Sequence, residues 1–337
     1  MNAFPTSLAP IGRLGIASAL CLLIGCAPTP ETSPDASPQP SSFRDDAPPA
    51  WVPPMLPKRR YGAGAHRIGD SYFVFGGKTG GRSEEGRDVL RIDKGETAWR
   101  KVKPLLDRHD FRGSVVIDGA IYTMGPAILR YQPGTDRWIA LKVNQPIPRS
   151  HFFAAAVGRE IFVIGGYPRE RGRTLVFNLD DDTLREGPAL PGFRHGDHFT
   201  ILANLDGTLH AVGGLGNGER ETEKQHFRLV DGKWETRAPH PNGITGKFTG
   251  WIEHEGRLYT FEREGHVYDP KTDTWTALAQ PPNPRVLPAL LPCDDSFVML
   301  GGLEPENQGN EGWRYFLKED RWESLKSEPK EAEEKEK

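Results

Sequence analysis

The sequence has little net charge and no long apolar run between its ends. Its 43 Lys and Arg residues are balanced by 46 Asp and Glu residues, which gives a net charge of −3 over 337 residues. Nucleic-acid binding depends on a clear basic excess, so nucleic acid is excluded as the main partner. No mid-chain segment has the roughly 20 consecutive apolar residues that a transmembrane helix needs.

Glycine and proline, by contrast, are abundant, with 38 and 30 residues respectively. Both are poor helix formers, and both are typical of turns. The composition therefore argues against a helix bundle and favours a chain with many turns. The length allows one large all-β domain or two smaller ones.

The N-terminal segment resembles the signal peptide of a bacterial lipoprotein. Arg13 is its only charged residue, and an apolar stretch runs from Leu14 to Ile24. The stretch ends in Leu23-Ile24-Gly25-Cys26, which is similar to the lipobox where a peptidase cuts before a cysteine that becomes lipidated. We predict a signal peptide over residues 1–25 and lipid attachment at Cys26. The alternative is an ordinary signal peptide with an incidental cysteine.

Acyl chains on Cys26 would hold the protein at the bacterial envelope. Ala27, at the position where Asp favours inner-membrane retention, favours the outer membrane. Residues 26–50 are rich in Pro and Ser and predict a disordered tether, and the Glu- and Lys-rich residues 327–337 predict a charged, disordered tail. If Cys26 is acylated, Cys293 has no partner for an intramolecular disulfide, so packing and backbone hydrogen bonds must hold the domain together.

A spacing of seven residues recurs along the rest of the chain. An apolar or aromatic residue precedes a Trp by seven positions, with a polar turn between them, and in one copy Leu replaces the Trp. The pairs are Ile92/Trp99, Tyr131/Trp138, Phe177/Leu184, Phe227/Trp234, Tyr268/Trp275 and Tyr315/Trp322. Each pair predicts two antiparallel strands joined by a tight turn.

An apolar strand that ends in a glycine slot precedes each pair. Paired glycines at a strand end indicate a backbone conformation or a close approach that a Cβ would block. Successive Trp slots are 39 to 50 residues apart, which gives six units of four short strands. The slots are Gly76-Gly77, Gly165-Gly166, Gly213-Gly214 and Gly301-Gly302, with degenerate copies at Gly125 and Glu262.

These units resemble kelch repeats over about residues 60–326. The resemblance implies an all-β fold, a six-bladed β-propeller with four antiparallel strands per blade, which we place at residues 51–326. A single blade cannot bury both of its faces, so the blades must stack around a channel. The segment from Trp51 to Arg60 is expected either to add an outer strand to blade six or to cover the seam between blades six and one.

Propeller topology predicts which residues share a face. We label the strands of a blade a to d, with a innermost; the connections into a and from b to c then open on one face, the first face. Connections of variable length lie there, as is typical of binding surfaces. Arginines recur sixteen residues before the first position of a glycine slot, and histidines lie beside them. The spacing joins Arg60 to Gly76, Arg108 to Met124, Arg149 to Gly165 and Arg285 to Gly301, and Arg194 lies near the corresponding place in blade four. The first-face candidates are Arg60, Arg108, Arg149, Arg194, Lys247 and Arg285, with His109, His151, His195 and His198.

Two interpretations of these arginines stay open. Guanidinium groups at a channel mouth could bind the carboxylate of an anionic or sugar-acid ligand. A similar arginine recurs in many kelch repeats, however, where it binds backbone carbonyls and has a structural role only.

The resemblance also raises two enzymatic alternatives. A copper-radical oxidase of this fold needs a Cys cross-linked to a Tyr, and Cys293 is expected on the opposite face, so that activity is rejected. A sugar-acid mutarotase or epimerase needs an acid/base pair beside an arginine-bound carboxylate, for which Glu262 and Arg263 are the candidates. We favour a monomeric, non-catalytic binding module for an envelope protein or glycan, with no cofactor and no metal.

Overall fold

The computed structural model describes residues 50–79, 85–109, 113–147, 150–166, 173–192, 199–216, 221–303 and 311–325. They belong to one compact unit, Pro49–Lys337. Six four-stranded antiparallel sheets form this unit, each from consecutive main strands, so the all-β, six-bladed propeller is confirmed. The signal peptide, the tether and the tail predicted at 1–25, 26–50 and 327–337 lie outside the described residues, apart from Ala50.

The first three blades follow one another along the chain. Blade one holds β1 (Tyr61–Ile68), β2 (Ser71–Lys78), β3 (Val89–Asp93) and β4 (Arg100–Val102), with a short 3₁₀ helix at Glu85–Arg87. Blade two holds β5 (Ser114–Ile117), β6 (Ala120–Thr123), β7 (Leu129–Gln132) and β8 (Arg137–Ala140). Blade three holds β9 (Ala154–Val157), β10 (Glu160–Ile164), β11 (Thr174–Asn178) and β12 (Thr183–Glu186).

The last three blades repeat the same order. Blade four holds β13 (Ile201–Leu205), β14 (Thr208–Val212), β17 (His226–Val230) and β18 (Lys233–Thr236), and its b–c connection adds a ribbon of β15 (Leu215–Gly216) and β16 (Glu221–Thr222). Blade five holds β19 (Gly250–His254), β20 (Arg257–Phe261), β21 (Gly265–Asp269) and β22 (Thr274–Leu278). Blade six holds β23 (Ala289–Pro292), β24 (Ser296–Leu300), β25 (Gly312–Phe316) and β26 (Arg321–Ser324).

The core is divided among the wedges between neighbouring blades. Between blades one and two, Phe73 and Phe75 of β2 pack against Ile121, Tyr131 and Trp138, all of them buried. Aromatic side chains each bury a large apolar area, so they fill a wedge that widens away from the channel. Each blade therefore buries its two faces against its neighbours, as the thinness of a single sheet requires.

The Tyr and Trp of a repeat fasten their blade to the segment before it. In blade two, the indole Nε1 of Trp138 donates to the carbonyl oxygen of Lys103 at 3.0 Å. The backbone N–H of Lys103 donates to Asp136 Oδ1 at 3.0 Å, and the Tyr131 hydroxyl donates to the same oxygen at 2.7 Å. One connecting residue thus has both backbone groups satisfied by the next blade. The arrangement recurs at Ala238 (with Tyr268, Asp273 and Trp275) and at Ala279 (with Tyr315, Asp320 and Trp322).

Blade three uses a different side chain for the same purpose. Leu184 replaces the Trp, and Asn144 of the preceding connection binds the backbone of Leu184 instead. The Asn144 amide donates to the Leu184 carbonyl oxygen at 3.0 Å, and its oxygen accepts from the Leu184 N–H at 2.8 Å. Blade four departs in register, because its two-residue turn places Trp234 opposite Leu229 rather than Phe227.

The segment before blade one forms no strand in the described residues from 50 to 60. Instead it covers the seam between blades one and six. Leu56 is buried in a cluster that contains Tyr72 of blade one and Leu291 of blade six, and the Trp51 ring packs on Tyr72 at 5.4 Å. The first of the two expectations, an added outer strand, is therefore wrong. Two prolines, Pro53 and Pro54, remove the N–H groups that a paired strand would need.

Candidate functional site: the first face and the channel

The two faces of the propeller differ in the length of their connections. On the first face, the b–c connections run from three residues (262–264) to thirteen (213–225). On the other face, which we call the turn face, the a–b turns contain two residues, such as 118–119, or three at 293–295. Variable connections on a rigid scaffold are typical of a binding face.

The paired glycines fasten neighbouring blades at the inner edge of the first face. Gly301 has φ +64°, and a Cβ there would lie 2.2 Å from the carbonyl oxygen of Arg60. The N–H of Gly302 donates to that same oxygen at 2.7 Å. Gly76 and Gly77 of blade one stand in the same relation to His109 of blade two. The first glycine gives room for the neighbouring backbone, and the second binds it.

Arg60 and Arg285 turn their guanidinium groups into the protein. Both side chains are almost fully buried. Arg285 Nη1 donates to the carbonyl oxygen of Gly301 at 2.7 Å, and Arg60 Nη1 donates to that of Gly76. Each arginine binds the strand end sixteen residues along its own blade, which is the contact that the structural interpretation predicts. Asp88 near Arg60 and Glu311 on Arg285 neutralise the buried charges.

In blade two the sixteen-residue position belongs to His109, not to Arg108. The turn at Asp118 and Gly119 pairs β5 with β6 so that Gly125, rather than Met124, matches Gly76. His109 is buried, whereas Arg108 is exposed. The assignment of Arg108 to the recurring position is therefore wrong by one residue.

Backbone hydrogen bonds run from blade to blade around the first-face mouth of the channel. The N–H of Phe199 donates to His151, that of Gly246 to Phe199, and that of Gly62 to Leu287, at 2.9 to 3.0 Å. His151, Phe199 and Leu287 have φ values of 61°, 56° and 52°, which only glycine adopts without strain. The carbonyl groups of His151, Phe199 and Leu287 are thus held by the next blade, and the three residues have a left-handed conformation of the kind that clusters at binding sites.

The left-handed backbone directs apolar side chains over the mouth. Phe199, Leu215 and Leu287 are buried there, and partly buried aromatic side chains surround them. We call this set the mouth cluster; it comprises Tyr61, Phe153, Phe199, Leu215, Phe248, Val286 and Leu287. Among the described residues, the mouth cluster is therefore apolar and aromatic; two of the predicted arginines, Arg149 and Arg194, lie outside those residues.

Two of the remaining first-face candidates, Lys247 and His151, lie against phenylalanine rings. Lys247 is partly buried, its Nζ lies 5.4 Å from the centroid of the Phe248 ring, and its carbonyl oxygen accepts from Leu287 at 2.9 Å. His151 packs edge-on against Phe199 at 5.2 Å. Four further candidates, Arg149, Arg194, His195 and His198, lie outside the described residues, as does Cys26.

Glu262, the acid/base candidate, stands half-buried at the end of β20. Its Oε2 accepts from the Thr249 hydroxyl at 3.5 Å. Burial raises the pKa of its carboxyl, and the positive charge of Arg263 partly opposes the shift. Arg263 itself is exposed. The mutarotase hypothesis needs an arginine beside Glu262 that binds the carboxylate of the substrate. Arg60 and Arg285 bind strand ends instead, so neither guanidinium group is placed for that role.

The channel contains an acidic residue that the sequence patterns did not single out. A cavity of about 400 Å³ runs along the inner strands, and Glu253 of β19 lines it with His66, Ser114 and Trp251. Burial raises the pKa of Glu253 to about 7, against the opposing effect of a hydrogen bond from the backbone N–H of Asn204. The corresponding inner-strand positions hold unrelated residues, so no repeat marked this one.

The chain is similar in sequence to known kelch proteins over about half of its length. No protein-family model matches the chain. Kelch-like protein 15 of Danio rerio is 25% identical over 208 residues, which cover 52% of this chain and 33% of the relative. Kelch-like protein 34 of Homo sapiens is 28% identical over 217 residues, which cover 58% and 32%. The chain thus spans about a third of the length of these relatives.

A solved structure supplies the match to the whole propeller. The structure titled "Structure of YjhT" matches with a TM-score of 0.66 at 14% identity, covering 81% of this chain and 99% of that one. At this identity the likeness shows the fold alone. This chain is a six-bladed β-propeller. Its partial similarity to kelch proteins is consistent with the paired glycines and the Tyr and Trp slots that recur from blade to blade.

The described part of the propeller lacks both a membrane-spanning helix and a cluster of metal ligands. No helix there is long and apolar enough to span a membrane. In the same residues, no three His, Cys, Asp or Glu side chains are grouped as metal ligands would be. Cys293 is buried in the seam between blades one and six, and burial raises the pKa of its thiol to about 12.

Proposed function

We propose that this protein is an envelope-anchored kelch propeller that binds a protein partner through the mouth cluster of its first face. The observation that carries the proposal is the set of partly buried aromatic side chains, among them Tyr61, Phe153 and Phe248, at the centre of that face. Aromatic side chains supply much of the affinity at protein interfaces, because they bury large areas at a low cost in conformational entropy. The relatives named above are kelch proteins, which is consistent with a binding module.

The connections around the mouth cluster support the same choice of face. They differ in length from blade to blade, so they can provide specificity around a common apolar centre. The turn face presents short turns of charged and polar residues, including Asp118 and Asp206. A rigid ring of six blades holds both faces in place, and the function is proposed to need no catalysis.

Anchoring rests on the lipobox-like sequence that ends at Cys26. Two acyl chains would attach the protein stably, since each buried CH₂ contributes about 0.8 kcal/mol. Labelled palmitate should be incorporated into the wild-type protein and not into Cys26→Ser, which should leave the membrane fraction. A Cys26→Ser protein that still sediments with membranes would contradict the anchor without affecting the proposed binding face.

The binding face is tested by affinity capture from envelope extract with the full chain as bait. Phe248→Ala and Tyr61→Ala should each lose the captured partner, because both remove aromatic area from the mouth cluster. Lys271→Ala is the matched control, since Lys271 is exposed on the c–d turn of blade five on the turn face. Protease treatment of the captured material separates a protein partner from a glycan. Capture that survives both mouth variants would overturn the proposal.

A further inference from the structure

The channel adjoins the mouth cluster, with which it shares Phe153 and Leu287, and contains ionisable side chains that the cluster lacks. Its cavity of about 400 Å³ could enclose a small molecule, and Gly64, Ala65 and Ala154 leave room along the walls. Among the residues that line it, three are ionisable: His66, Arg67 and Glu253. The charge available to a ligand in the channel therefore depends on the state of these three side chains.

Two of the three are already engaged by the protein. His66 Nε2 lies 2.9 Å from the Ser114 hydroxyl, and burial lowers the pKa of the imidazole to about 4, so it is neutral at pH 7. The Arg67 guanidinium donates to Asp294 at 2.7 Å and to the carbonyl oxygen of Gly69 at 2.8 Å. Neither group offers an uncompensated positive charge to an anionic ligand.

Glu253 is different, because no cation in the described part of the chain forms an ion pair with its carboxylate. Its hydrogen-bond partner is the backbone N–H of Asn204 on the adjacent inner strand, and a backbone amide does not neutralise a carboxylate. A carboxyl that is withdrawn from water in this way stays partly protonated near pH 7. A cation that entered the channel would supply the missing countercharge.

An aromatic wall adjoins this carboxyl. Trp251 and Glu253 are two residues apart on β19, so their side chains leave the strand on the same side. The rings of Trp251 and Phe153 meet edge-on at 5.5 Å, and both residues line the cavity. The faces of aromatic rings attract organic cations, most strongly when water is excluded.

We propose that the channel binds a small organic cation, whose ammonium group pairs with Glu253 and whose apolar body lies against Trp251 and Phe153. The cavity is large enough for a ligand of one six-membered ring. The site shares Phe153 with the mouth cluster, but Glu253 and Trp251 lie outside that cluster. The protein-binding face is tested at Tyr61 and Phe248, so a failure of the cation site can be told apart from a failure of that face.

The test compares two probes of the same shape on the full chain, cyclohexylammonium and cyclohexanol, by isothermal titration calorimetry and tryptophan fluorescence. At pH 8 cyclohexylammonium should bind at least tenfold more tightly than cyclohexanol. Its affinity should fall about tenfold per pH unit below pH 7, because the ligand binds the ionised carboxylate and protons compete for it. Below pH 7, titrations in two buffers of different ionisation enthalpy should show that binding releases about one proton.

Two variants test whether Glu253, rather than the negative charge of the protein in general, causes the preference for the ammonium probe. Glu253→Gln should remove the preference for the ammonium probe, and Glu255→Gln, an exposed glutamate on the following turn, should keep it. Proton release by the wild-type protein gives a readout that does not depend on how well Glu253→Gln folds. Equal affinity for the two probes, no saturable binding of either, or an ammonium preference that persists in Glu253→Gln would each overturn the proposal.

Discussion

The indole Nε1 of Trp99 donates to the carbonyl oxygen of Pro54 at 2.9 Å. In blade two, the Trp at the same position binds Lys103 of the connection that leaves blade one. Pro54 thus stands where a preceding blade would supply its connection, and the segment before β1 completes the ring at blade one. The ring closes by packing, by side-chain hydrogen bonds and by backbone hydrogen bonds such as that from Gly302 to Arg60. Within the part of the chain that the structure describes, blades one and six exchange no strand.

The seam segment should therefore contribute measurably to stability. Leu56 is 3% exposed between blades one and six, and Leu56→Ala should lower the free energy of unfolding by about 2–5 kcal/mol. Leu106, which is 50% exposed, is the matched control, and Leu106→Ala should change it by less than about 0.5 kcal/mol. Denaturant unfolding measures both. Equal effects of the two substitutions would show that the segment does not close the ring.

The tryptophan contacts between blades predict a second set of changes. Trp138→Ala and Trp275→Ala should each cost about 3–5 kcal/mol, because they remove a packed ring and its bond to the previous connection. Trp138→Phe keeps the packing and loses the bond, so it should cost about 1 kcal/mol for the hydrogen bond plus a smaller packing loss. Thermal and denaturant unfolding give these values. Unchanged melting of both alanine variants would contradict the blade-stacking account.

Stability should also fall with acid through four buried histidines between blades four and five. His210 Nδ1 lies 2.9 Å from His226 Nε2, and the rings of His240 and His266 are 4.9 Å apart. Burial lowers the pKa of His210 and of His240 to about 3 and that of His226 to about 4, and it lowers the pKa of His266 as well. The charged residues near them are Lys224, Arg228, Arg237, Glu264 and Asp273.

The free energy of unfolding falls in acid because the unfolded chain takes up protons that the folded cluster does not bind. Below about pH 6.5 each histidine is protonated in the unfolded chain and neutral in the folded one. Each can therefore lower the free energy of unfolding by about 1.4 kcal/mol per pH unit until the pH reaches its folded pKa. Urea unfolding of wild type and of His210→Phe between pH 7 and 4 isolates the effect. The variant should lose less stability than the wild type over this range, and an equal loss would refute the prediction.

The buried hydrogen bonds of Arg60 and Arg285 predict that both residues stabilise the fold. Arg60→Ala and Arg285→Ala each remove a buried guanidinium and leave strand-end carbonyls without a donor, so each should cost about 1–3 kcal/mol of stability. Arg263→Ala, at an exposed position beside Glu262, should cost less than about 0.5 kcal/mol. Melting curves of the three variants suffice. Loss of binding without loss of stability in Arg60→Ala would restore the ligand-binding interpretation.

The fold could be predicted because its signals repeat. A Trp slot and a glycine slot recur at most joints between blades, so six imperfect copies reinforce one another. A single residue has no such support. Met124 and Gly125 compete for one slot, and only the pairing of β5 with β6 decides that His109 rather than Arg108 occupies the recurring position.

The sequence could predict which face carries the variable connections but not the side chains that lie at its centre. Connection lengths indicated the first face, but the mouth cluster depends on left-handed backbone at residues such as Phe199 and Leu287, which no alternation pattern reveals. No sequence pattern indicates Glu253, for a different reason. Its importance depends on burial and on the lack of a cationic partner among the described residues, and both are properties of the closed ring.

The most direct test of the proposed binding face is site-specific photocrosslinking in living cells. A photoreactive amino acid is placed at Phe248 in the mouth cluster or at Lys271 on the turn face of the full chain. We expect one discrete protein adduct from position 248 and none from position 271. An adduct from position 271 alone, or no adduct from position 248, would contradict the account.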